Sequence, residues 1–250
     1  MANPLGIKIK EVQKDITRIQ LEVSFIKRIL PFKLKYNVYA IKIESGICLF
    51  DCGSEETAEI LKSALRGNRV TQVFLTHGHV DHAGSGRYWL KEGAQVFAPK
   101  EECAMLRSGG PEAAPQAFRY PGFEPTGTVS PDDRIALGGE FEFAVISTPG
   151  HTPGSVCYHE AHRDILISGD ILFGPIQGYM VTFLLEFLTA LREPDANIRR
   201  QIASLGALVS NGVIKSTTLI LPGHGAEYYI REKPDAVKRS SRLLSLCLKL

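Results

Sequence analysis

The chain has 250 residues, 44% apolar and 22% charged, which excludes a disordered or fibrous polymer and allows a core without disulfide staples. Lys and Arg total 29 against 27 Asp and Glu, and a net charge of +2 gives no whole-chain argument for nucleic acid as a partner. Five scattered cysteines, Cys48, Cys52, Cys103, Cys157 and Cys247, form no CxxC pair, which argues against a secreted disulfide framework and for free thiols in a reducing compartment.

The first fifteen residues are polar and charged and lack the apolar stretch of a signal peptide, so a cytoplasmic protein is expected. Alternation and β-branched residues then predict strands over Thr17–Val23, Asn37–Ile43 and Ile47–Asp51. Ser54 is placed to cap a helix that begins with Glu55 and Glu56 and ends near Gly67. A short buried strand, Thr71–Leu75, runs into Thr76-His77-Gly78-His79-Val80-Asp81-His82. A helix from about Gly84 to Lys91 and a strand at Gln95–Ala98 follow. Residues 108–131 carry Pro111, Pro115, Pro121, Pro125 and Pro131 and read as a long loop, either a rim of the site or a passive connector.

Strands are predicted again at Arg134–Leu137, Glu140–Ser147, Ser155–His159, Asp164–Ser168 and Thr217–Leu221, and helices at about Tyr179–Arg192, Ala196–Val209 and Pro234–Leu248. The apolar run Tyr179–Leu191 is broken by Glu186 and is too short to span a bilayer, so no membrane partner is expected. The segment 173–194 is either an ordinary core helix or a pocket wall or homo-oligomer contact. On the second reading Phe173 and Tyr179 would line the substrate pocket. Lys33, Lys35, His159 and His162 read as surface residues.

The densest chemistry is His77-x-His79-x-Asp81-His82 directly after a strand. Imidazole and carboxylate are the ligands that zinc and iron take. Two histidines at i and i+2 can clasp one ion, while Asp and His at i+4 and i+5 point at a neighbouring position. A solvated polar loop is the alternative, and so dense a donor set argues against it. Three further strand ends repeat the context: Thr148-Pro149-Gly150-His151-Thr152, Ser168-Gly169-Asp170 and Leu221-Pro222-Gly223-His224-Gly225. Each puts one potential ligand in a Gly-containing turn.

Taken with Leu49-Phe50-Asp51-Cys52-Gly53, these motifs resemble those of the metallo-β-lactamase fold superfamily, in its order and over residues 35–226. The resemblance implies an α/β (α+β) fold, a four-layer αββα sandwich formed as a single domain over residues 1–250. It implies that His77, His79 and His151 hold a first metal, that Asp81, His82 and His224 hold a second, and that Asp170 bridges them. Asp51 would accept a bond from a ligand histidine and fix its tautomer. The expected cofactor is two zinc ions, with iron or manganese as alternatives. A water or hydroxide shared by the ions would attack an ester, lactone, thioester or phosphoester, with β-lactam hydrolysis as a side activity. Asp81 is the candidate catalytic residue that orients the nucleophile and shuttles a proton.

Substrate signals are weaker. Glyoxalase-type thioesterases carry a Gly-Arg-x-Asp stretch soon after the bridging Asp, whereas Asp170 is followed by ILFGPIQGYM. Many family lactonases place a Tyr where Phe173 stands, and no basic exosite arm of the RNA-processing relatives is found, so a small-molecule substrate is expected rather than nucleic acid. The alternatives are a mononuclear iron sulfur dioxygenase acting on glutathione persulfide, and a nuclease. An electron-transfer module of the flavodiiron type is weaker, because those relatives usually have Glu where His79 stands.

Overall fold

The computed structural model describes residues 7–23, 34–111, 116–138, 140–174 and 194–247. Tyr179, the helix predicted from it and most of the segment 173–194 lie outside these residues, as does Lys33. The described residues fall into two units, those within 1–129 and 137–140 and those within 130–136 and 141–250, each built on one sheet.

The sheet of the first unit has seven strands in chain order: β1 (Lys8–Gln13), β2 (Ile16–Val23), β3 (Leu34–Ile43), β4 (Gly46–Phe50), β5 (Val70–Phe74), β6 (Gln95–Pro99) and β7 (Gly127–Val129). Strands β1–β4 pair antiparallel and β4–β7 parallel. A parallel pair needs a crossover, and helices supply it. Helix α1 (Ala58–Ala64) joins β4 to β5, α2 (Val80–Ala83) and α3 (Gly86–Lys91) join β5 to β6, and α4 (Cys103–Ser108) lies between β6 and β7. Phe50, Phe74 and Phe97 stand at one register of β4, β5 and β6, with ring centroids 5.8 and 4.9 Å apart. Phe50 and Phe74 are buried and each contributes roughly 1.5–3 kcal/mol through the apolar area it removes from water, while Phe97 is partly buried. The register has a consequence for function: Asp51 and the Thr76 loop leave the sheet side by side, at the C-terminal ends of neighbouring strands.

The second unit has a six-stranded sheet in the order β13-β12-β11-β10-β9-β8, from β8 (Arg134–Ala136), β9 (Glu142–Ser147), β10 (Val156–Glu160), β11 (Ile165–Gly169), β12 (Leu219–Pro222) and β13 (Tyr228–Tyr229). Helices α5 (Pro194–Ser210) and α6 (Ala236–Cys247) complete it, and Leu205 and Leu208 of α5 pack with Cys157, Leu166 and Ile220 of the strands. His151 lies in the turn joining antiparallel β9 and β10. Asp170 follows β11 and His224 follows β12, and because β11 and β12 are parallel with Gly169 opposite Pro222, both residues emerge at the same end.

Several expectations change. Ser54 makes no side-chain cap bond, and the chain first makes a 3-10 turn, Glu55–Thr57, before α1. Its hydroxyl is 3.1 Å from the Tyr36 hydroxyl, a buried partner that outcompetes the cap. Asp81 and His82 lie on α2, ahead of the helix predicted from about Gly84. The Pro-rich region 108–131 contains the 3-10 turn Gln116–Phe118 and strand β7. Strand β1 escaped the pattern reading because Lys8–Glu11 are exposed on this edge strand, so no apolar alternation marks it. His159 is half-buried, with its Nε2 buried and lacking a hydrogen-bond partner, and desolvation lowers its pKa. Among the described residues, no helix is long and apolar enough to cross a membrane.

Candidate metal centre

In the first unit, four candidate donors project from the eight residues that follow β5. The rings of His77 and His79 have centroids 4.8 Å apart, and those of His77 and His82 are 4.1 Å apart. The Oδ2 of Asp81 is 3.7 Å from His82 Nε2. His77, Asp81 and His82 are buried and His79 is partly buried. Ligand atoms of His77 and His79, of His77 and His82, and of Asp81 and His82 lie within 4.8 Å of one another, close enough to share an ion.

Asp51 organises this set from a left-handed backbone, φ +59°, that costs about 1–3 kcal/mol at a non-glycine residue. Its Oδ1 accepts the Thr76 N–H at 2.8 Å, and its Oδ2 accepts from His82 Nδ1 at 2.8 Å. A carboxylate partner makes Nδ1 the protonated nitrogen of His82 and leaves the Nε2 lone pair as the ligand atom. Thr76 Oγ1 is 3.0 and 2.9 Å from the two oxygens of Asp51 and 3.0 Å from His77 Nδ1. Its single hydroxyl proton goes to the carboxylate, so its lone pair accepts His77 Nδ1–H. One buried Asp thereby holds His82 directly and, through Thr76, His77. Thr76 carries no sequence signal for this role; only the contact gives it one.

In the second unit, Asp170 Oδ2 is 3.5 Å from His151 Nε2 and 3.2 Å from His224 Nε2. Helix α5 holds the turns that carry these groups. Gln201 Nε2 donates to the Asp170 carbonyl at 3.4 Å, and Ser204 Oγ donates to the Pro149 carbonyl at 2.8 Å. Neither residue carries a sequence signal, since both look like ordinary helix positions. Gly150, at φ +141°, lies so close to α5 that a Cβ would stand 2.3 Å from Gln201 N. Gly150→Ala is therefore expected to destabilise by about 3 kcal/mol or more, through backbone strain and displacement of α5. A calorimetric scan should show Tm falling by about 6–12 °C; an unchanged Tm would refute the close approach. The Phe173 ring centroid is 6.1 Å from that of His224, which puts one predicted pocket residue beside a donor.

Cys52 and Cys157 are poor nucleophiles. Burial pushes the thiols of Cys52 and Cys157 up to about 12, and Cys52 Sγ donates to the His82 carbonyl at 3.2 Å. A thiol so placed stays protonated at neutral pH and acts as a small packing group.

Histidine and aspartate donors at strand ends of an α/β fold define a protein of the metal-binding enzyme class. The chain matches the Metallo-beta-lactamase superfamily model over residues 33–224 and belongs to that superfamily, as an enzyme of its metallo-hydrolase class. It is 23% identical over 232 residues to the probable metallo-hydrolase YybB of Bacillus subtilis, covering 91% of this chain and 95% of that one. It is 28% identical over 214 residues to the human acyl-coenzyme A thioesterase MBLAC2, covering 77% of this chain and 70% of that one. A solved metallo-beta-lactamase from Pontibacter korlensis matches with a TM-score of 0.73 at 17% identity, covering 96% of this chain and 99% of that one, a likeness that concerns the fold alone.

Proposed function

We propose that the protein is a dinuclear zinc hydrolase of acyl thioesters, formed as one functional domain and working in a reducing, cytoplasmic setting. The observation that carries the metal reading is Asp170, whose single Oδ2 approaches both His151 and His224, as a bridging carboxylate must. His77, His79 and His151 would hold one ion, Asp81, His82 and His224 the other, with Asp170 between them. The donor set fits: imidazoles, those of His77 and His82 with Nδ1 protonated, and carboxylates suit zinc, iron or manganese, and zinc is the proposed occupant. Thioesters are favoured among esters, lactones and phosphoesters by the likeness to the acyl-coenzyme A thioesterase, which spans most of this chain.

When bound, the ions would supply Lewis acidity and a water activated near neutral pH. The chain's own residues do the rest. Asp51 and Thr76 hold the rings of His82 and His77 in fixed tautomers. Asp81 orients the attacking water and receives its proton at a carboxylate oxygen. Phe173, beside His224, offers an apolar edge to an acyl group.

The test is elemental analysis of protein purified without a chelator or metal-affinity tag, followed by acyl-thioester assays. About two zinc per chain is expected, with hydrolysis lost on chelation and restored by zinc. One iron per chain with persulfide-dependent oxygen uptake would overturn this reading in favour of the sulfur dioxygenase.

A further inference from the structure

The peptide between His77 and His79 is gripped from both sides. The Gly78 N–H donates to Glu102 Oε2 at 2.8 Å, and the Tyr120 hydroxyl donates to the Gly78 carbonyl at 2.7 Å. Both side chains are buried, Glu102 with only 1% of its surface exposed. They close on bare backbone: a Cβ at Gly78 would stand 2.8 Å from Met105 Sδ and 2.9 Å from Glu102 Oε2.

The two jaws are themselves fixed. Glu102 ends the 3-10 turn Lys100–Glu102 after β6. Tyr120 comes from the Pro-rich region, which is tied down by Tyr120 N to the Gly109 carbonyl at 3.0 Å and Phe123 N to the Leu106 carbonyl at 3.1 Å. Phe123 fills the space over Gly86, where a Cβ would meet its ring at 2.2 Å. Burial and the neighbouring Glu102 carboxylate push the Tyr120 phenol upward, so it remains a donor. A carboxylate buried this deeply is costly, and a hydrophobic residue would fill the volume at lower cost. The Gly78 amide it accepts offsets part of that cost.

We infer that Glu102 and Tyr120 are positioning residues that fix the Gly78 peptide and, through it, the spacing of His77 and His79 as metal ligands. The inference rests on the proposed metal centre. It gives the Pro-rich region a role that is neither pocket rim nor passive connector.

The test uses full-length protein stripped of metal, titrated with zinc against a chromophoric chelator and then loaded with cobalt(II) for visible spectra. Tyr120→Phe, which removes one hydroxyl, and Glu102→Leu should each bind zinc about tenfold more weakly than wild type and shift the cobalt bands. Glu102→Gln, which keeps an oxygen for the Gly78 N–H, should recover part of the lost affinity. The melting temperature of the metal-free protein is followed in parallel, because a purely structural loss lowers it and leaves the cobalt spectrum unmoved. Wild-type affinity and spectrum in Tyr120→Phe and Glu102→Leu would overturn the clamp while leaving the metal centre standing. Should Glu102→Leu fail to fold, Tyr120→Phe decides alone. A wild type that binds no zinc would instead overturn the metal centre, and the clamp with it.

Discussion

Asp170→Ala is expected to lower kcat/KM for an acyl thioester by about 10³-fold or more, roughly 4 kcal/mol of transition-state stabilisation. The reason is geometric. Asp170 Oδ2 lies 3.5 Å from His151 Nε2 and 3.2 Å from His224 Nε2, so one carboxylate serves two imidazoles assigned to different ions. Truncation removes a negative charge from both, and zinc content should fall toward one ion or fewer per chain. The fold should survive, because the Asp170 backbone is held independently by Gln201 and β11 is paired on both sides. Circular dichroism and zinc analysis on the same sample separate loss of metal from loss of structure. Asp170→Asn keeps the volume but not the charge and should be nearly as impaired. Wild-type turnover in either variant would remove Asp170 from the site.

Asp51→Asn should weaken zinc binding by about 10–100-fold, or roughly 1.4–2.7 kcal/mol, with little change in the fold. Asparagine tolerates the left-handed conformation at φ +59° nearly as well as aspartate, so the backbone has no reason to move. What changes is polarity. The carboxylate accepts from Thr76 N, Thr76 Oγ1 and His82 Nδ1, and an amide must turn a donor toward at least one of them. If it faces His82, the ring loses the partner that keeps its proton on Nδ1. Asp51→Ala should be worse, since an alanine at positive φ adds about 1–2 kcal/mol of strain. Zinc titration of both variants checks the order. Equal affinity in wild type and Asp51→Asn would show that Asp51 only braces the turn.

The donors were legible because each announces itself locally. His77, His79, Asp81, His82, His151, Asp170 and His224 all follow residues with strand periodicity, and all but Asp81 sit beside a small or turn-forming residue. Their partners were not. Thr76, Glu102, Tyr120, Gln201 and Ser204 are ordinary residues until the fold brings Thr76 under Asp51, the next two around Gly78, and the last two against the turns of Asp170 and His151. Strand β1 and the 3-10 turn at Glu55 were missed for the related reason that exposure and a buried competing partner override local pattern.

The amino-acid sequence by itself determined the superfamily, the candidate donors and most strands, because motif residues and a two-residue period are properties of neighbours along the chain. Only the tertiary structure decided which nitrogen of His77 and His82 carries the proton, and which side chains hold the loops that present the donors. Those depend on parallel register and helix packing, which join residues 24 to 55 positions apart through contacts that no local pattern encodes.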